Sequence, residues 1–164
     1  MSETKTERHV RQWTRHLMAD LRECRTDAAS ALIAELVGPD GPNHWLLRPV
    51  LAELTRCTAA LIEAAAPYPP NLVDCTLLIN TADGRRVTID DLDPPVRATM
   101  RAILALLHHN DADAELQLDL VADSTDAAGT ADAILHAILW TQSAVTACEQ
   151  SDLPVPAWLA TEVA

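Results

Sequence analysis

Asp132 and His136 stand four residues apart in a stretch that reads as helix, which places a carboxylate and an imidazole one turn apart on one face. A carboxylate so placed can orient an imidazole for proton transfer. Trp140, a turn further on, adds an apolar wall, so Asp132, His136 and Trp140 form a candidate ligand pocket. Nucleophilic catalysis needs one more group. Ser143 points the same way but two turns from His136, so no catalytic residue is assigned.

The run His108, His109, Asn110, Asp111, Ala112, Asp113, Ala114, Glu115 gathers imidazoles and carboxylates within eight residues. Its alternating acids imitate the start of a calcium loop. Leu116, however, stands where the sharp turn requires Gly, and Ala122 where a bidentate Glu belongs. Two histidines closing a helix complement its dipole without a metal, so no metal ligands are assigned. Cys24, Cys57, Cys75 and Cys148 are widely spaced, with no CxxC pair, and read as reduced apolar residues.

Gly38, Gly41, Gly84 and Gly129 are the only glycines and Lys5 the only lysine, so neither GxGxxG nor GxxxxGK[ST] can be written. The hydrolase signatures GxSxG and HExxH are also missing from the sequence. No cofactor is expected.

Arg8, Arg11, Arg15, Arg22 and Arg25 recur at helical spacing on a face distinct from the apolar stripe of the first helix. Glu3, Glu7, Asp20 and Glu23 lie among them and the chain carries a net charge of -12, so nucleic acid is not the expected partner. The charge is split along the chain. Asp111, Asp113, Glu115, Asp119, Asp123, Asp126, Asp132, Glu149, Asp152 and Glu162 follow Arg101, with no Lys or Arg among them. That half repels phosphate backbones and anionic membranes and suits pairing with a basic surface.

The elements that must carry these residues follow from periodicity. Val10, Trp13, Leu17, Leu21, Cys24, Ala28 and Leu32 draw one stripe and predict a first helix from about residue 4 to 37, stopped by two Gly and two Pro at 38–42. A second helix opens near Pro49 and ends at Pro67, giving a helical hairpin over residues 1–66. Val73, Cys75, Leu77 and Ile79 alternate with other residues, as do Val87 and Ile89 after Asp83 and Gly84, which predicts a β-hairpin. Asp93 and Pro94 open a third helix to about His109, and Leu116, Leu118 and Leu120 alternate as a third strand. A fourth helix runs from Ser124 or Thr125 to about residue 150. Residues 72–150 thus read as a ββαβα unit, and 151–164 as an apolar docked tail.

The expected fold is α+β and helix-dominated, a single domain over 1–164 with a three-stranded sheet. At 164 residues it needs no disulfide or metal to fold. The fourth helix is apolar on two sides, so it is either central or in contact with another copy. Gly129, Ala133 and Ala137 would allow a close neighbour. The functional expectation is a non-catalytic interaction or regulatory protein, homodimeric and cytoplasmic, without a membrane partner. Its expected surface comprises Arg8, Arg11, Arg15, Arg22, Ala133, Ala137 and Trp140. The alternative is a small-molecule-binding protein or minor enzyme with its pocket at His136 and Trp140.

Overall fold

The computed structural model describes residues 3–66, 79–80 and 83–160, and these form a helical assembly. Its elements are α1 (Lys5–Arg22), α2 (Thr26–Val37), α3 (Leu47–Ala65), β1 (Ile79–Asn80), β2 (Arg86–Val87), α4 (Pro94–Leu107), α5 (Asp111–Ala122) and α6 (Ala127–Gln150).

The three-stranded sheet is not formed. Among the described residues the only strands are β1 and β2, two residues each, paired antiparallel with Ile79 opposite Val87 and Asn80 opposite Arg86. Gly84, at φ +79°, occupies the left-handed region in the connection, where a side chain would be strained. Residues 73–78 of the expected first strand lie outside the described residues. The expected third strand is helix α5. Ala114, Leu118 and Val121 are its buried residues, at helical spacing, while Leu116 and Leu120 are each 56% exposed. The alternation of leucines thus arose from a helix that is also apolar on its outer face. Asn110 caps it, its side chain accepting from the Asp113 amide at 3.2 Å.

The long first helix is two helices. Thr4 starts α1 with a capping box: its Oγ1 accepts from the Glu7 amide at 3.1 Å, and Glu7 Oε2 accepts from the Thr4 amide at 2.6 Å. The Thr4 amide, followed by the Thr4 side chain, holds the Glu7 carboxyl below its usual range. The helix breaks where Cys24 turns left-handed at φ +56°. Arg25 closes the bend, its amide donating to Asp20 O and its Nε to Asp20 Oδ1, both at 2.8 Å. No Gly or Pro marks the break, so periodicity alone runs through it. Beyond α2, Gly41 is required by close approach: a Cβ there would fall 2.3 Å from the Glu35 carbonyl oxygen.

Helix α6 is central. It packs against α2, α3, α4 and α5, and Ala133, Ile134, Ala137 and Ile138 are at most 1% exposed. With no Phe in the chain, the core is filled by Leu17, Leu36, Leu51, Leu54, Ile103 and Leu118. Each such side chain contributes roughly 2 kcal/mol when fully buried. The 153–160 segment lies on this body through Leu153, Val155, Trp158 and the buried Leu159.

Buried threonines sit within the helices by donating to the carbonyl four residues back: Thr55 to Leu51, Thr99 to Pro95, Thr130 to Asp126 and Thr141 to Ala137. Because Thr141 donates to its own helix, Thr58 donates across to Thr141 Oγ1, at 2.8 Å, tying α3 to α6. Thr14 is the exception: its hydroxyl is buried with no hydrogen-bond partner among the described residues. Replacing that hydroxyl by a methyl removes an unsatisfied group at little change in shape. Thr14→Val is therefore expected to raise stability by about 1 kcal/mol, read as a higher urea midpoint. A lower midpoint would show the hydroxyl to be bonded.

Candidate functional site

Thr4 and Glu7 fix where α1 begins, and with it the direction of each side chain on the helix. Val10, Trp13, Leu17 and Met18 go inward, which turns Arg8, Arg11, Arg15 and Arg22 to the other side. These four arginines line a groove of about 720 Å³, together with Glu3, Gln12, His16 and, from the C-terminal segment, Trp158. Arg8 and Arg22 are 14 residues apart, so the basic rail is about 21 Å long.

The groove is already partly occupied by carboxylates of the same chain. Glu3 pairs with Arg8 at 3.7 Å and with Arg11 at 3.1 Å. Arg11 also donates from Nε to Glu53 at 3.0 Å, and its guanidinium carbon lies 5.4 Å from the centre of the Trp158 ring. Burial disfavours the Arg11 charge, but Glu53 and Glu3 outweigh it and hold its pKa above the ordinary value. Arg22 donates to the Met18 carbonyl oxygen at 3.3 Å.

At Arg22 the groove meets a notch of about 200 Å³ lined by Gln142 and Thr146 of α6 and by Leu159. Gln142 Nε2 is buried there with no hydrogen-bond partner among the described residues. Gln142 and Thr146 also border a shelf of about 390 Å³ beside Leu139, which is 44% exposed. A charged rail, an aromatic face and an apolar shelf thus run along one side of the molecule.

A second charged site, at the surface, joins α3 to α5 within the chain. Arg48 pairs with Glu115 and, at 2.7 Å, with Asp119, while Arg56 reaches Glu115 at 3.0 Å. The hydrogen bond from Arg48, followed by the Arg48 and Arg56 charges, outweighs burial and lowers the Glu115 pKa. This network uses two acids of the C-terminal half to hold the fold.

The remaining candidates are placed otherwise. Ala133 and Ala137 are inside the core, where they face the protein's own helices. Asp132 is exposed; its carbonyl oxygen, not its carboxylate, accepts from His136 Nδ1 at 2.7 Å. The His136 ring is 5.5 Å from the half-buried Trp140, and none of these three residues borders the groove, notch or shelf. His108 and His109 are exposed at the end of α4, with His109 at φ +56° and 3.6 Å from Glu63. Among the described residues no three His, Cys, Asp or Glu side chains are grouped as metal ligands, and no helix is long and apolar enough to cross a membrane.

Cys24 is exposed, Cys57 half-buried and Cys148 buried, all as free thiols. Burial, then Glu53, pushes the Cys57 pKa up to about 12 despite Arg11, so this thiol stays protonated and weakly nucleophilic. Trp158, Gln12 and Gln142 are the site residues that sequence reasoning missed. Trp158 is eight residues beyond the end of α6 at Gln150, between prolines and Ala160, where periodicity gives no direction.

Comparisons of the chain with protein-family models, with curated proteins and with solved structures return no match.

Proposed function

We propose that the chain is a non-catalytic interaction or regulatory protein that works through helical surfaces, as a homodimer in the cytoplasm. The observation that carries this reading is the groove on α1, where Arg8, Arg11, Arg15 and Arg22 form a rail beside Trp158. Arginine and tryptophan are the side chains that dominate binding at protein interfaces, and a rail about 21 Å long suits a protein surface. The split charge supports a second copy as partner, because the half after Arg101 supplies only acids. The free thiols suit a reducing compartment.

Native mass spectrometry of the purified chain tests the reading. A dimer mass without adduct is the expected result. A monomer that carries a small additional mass would overturn it in favour of ligand binding.

A further inference from the structure

The notch between α1 and α6 differs from the groove it joins in what its polar groups lack. In the groove, Arg8 and Arg11 have Glu3 as a partner. Arg22, which lines both, donates its Nε to the Met18 carbonyl oxygen and has no carboxylate partner among the described residues. The guanidinium is thus tethered at one corner while its terminal nitrogens keep their donors. Gln142, in the same notch, holds Nε2 buried with no acceptor among the described residues. A buried amide donor is costly to leave unpaired, so this one calls for an oxygen that its neighbours do not supply. The walls around the two donors are apolar: Met18 from α1, Val145 from α6 and Leu159 from the 153–160 segment, each at most 5% exposed. Thr146 completes the lining and spends its hydroxyl proton on the Gln142 carbonyl oxygen at 3.0 Å. Among the described residues no Asp or Glu borders the notch.

The geometry points to a binding site for a short aliphatic monocarboxylate. Its carboxylate accepts from the Arg22 guanidinium and the Gln142 amide, and its hydrocarbon end lies against Met18, Val145 and Leu159. This site goes beyond the interaction reading and does not depend on self-association.

The donor set and the walls together fix the class. A carboxylate offers two oxygens and one charge, which one guanidinium and one amide N–H match. A phosphate would press further charged oxygens against Met18, Val145 and Leu159, where they lose water and gain no donor. A neutral amide or alcohol could satisfy Gln142 but would desolvate Arg22 without neutralising it. Size limits the rest. At about 200 Å³ the notch is smaller than the roughly 300–1,000 Å³ of sites for drug-sized molecules, which leaves room for a chain of a few carbons. A ligand that small binds with a dissociation constant of roughly 0.1–1 mM, so it is lost on purification and leaves no adduct.

Titration of the full chain with isovalerate, followed by heteronuclear correlation spectra, reads the site at the Gln142 side-chain amide itself. The expected result is a saturable shift of that amide, with half-saturation at roughly 0.1–1 mM. Gln142→Met deletes the resonance and so assigns it. In Gln142→Met and in Arg22→Gln, the affinity read from the Val145 and Leu159 backbone amides is expected to fall by about 10-fold or more. Arg8→Gln, in the groove but outside the notch, should leave it unchanged. Isovaleramide, which has the same shape without the charge, and inorganic phosphate should each bind about 10-fold more weakly or less. Arg22 is exposed, so its variant and the two comparison ligands decide the matter if Gln142→Met fails to fold. A Gln142 amide that does not shift, an affinity unchanged in Arg22→Gln, or equal binding of isovaleramide or phosphate overturns the site.

Discussion

Ala133→Glu is expected to leave the chain without a cooperative fold. Ala133 is fully buried on α6, the helix that α2, α3, α4 and α5 surround. A Glu side chain there adds volume to a filled core and places a carboxylate in the hydrophobic cluster. Burying an unpaired charge in this way costs more than about 4 kcal/mol, against a total stability of about 5–15 kcal/mol for a domain. Thermal unfolding followed by circular dichroism should show no sharp transition, or one lowered by more than about 10 °C. Leu139→Glu is the control on the same helix, since Leu139 is 44% exposed; it should cost about 0.5 kcal/mol or less. Ala133→Glu melting like the wild type would show that this face of α6 is not covered by the chain's own helices.

The second large effect distinguishes helix from strand at residues 111–122. On a strand, Leu116, Leu118 and Leu120 would share one face and lose similar stability when shortened. On α5 they diverge. Leu118 is 1% exposed while Leu116 and Leu120 are each 56% exposed. Leu118→Ala is expected to cost about 3 kcal/mol, and Leu116→Ala and Leu120→Ala less than about 0.5 kcal/mol each, in urea melts of dilute protein. Gln117→Pro should add a comparable loss of about 3 kcal/mol by breaking the helix. Equal costs at the three leucines would contradict the helix.

Those residues show where the sequence was legible. The first two turns of α1, the Pro94 start of α4 and the two-sided apolar character of α6 all follow from spacing and caps, because each has a local cause. Segment 115–121 failed for a physical reason. Alternation is shared by a half-buried strand and by a helix with leucines on both faces, and only packing tells them apart. Cys24 failed because a left-handed cysteine has no sequence signal, and the apolar stripe continues on either side of it. The basic stripe of the site was visible in α1 itself. Its wall was not, since Trp158 reaches Arg11 from a segment more than 140 residues away. Asp132 and His136 illustrate the converse: the spacing was right for a carboxylate and imidazole pair, but the backbone carbonyl one turn back took the ring proton.

Hydrogen exchange read by mass spectrometry, comparing dilute with concentrated protein, decides whether the α1 groove is the surface that self-associates. Slower exchange on concentration is expected in α1 and in the 153–160 segment that borders its groove. Unchanged exchange in α1, or slowing confined to another face such as the exposed leucines of α5, would contradict it.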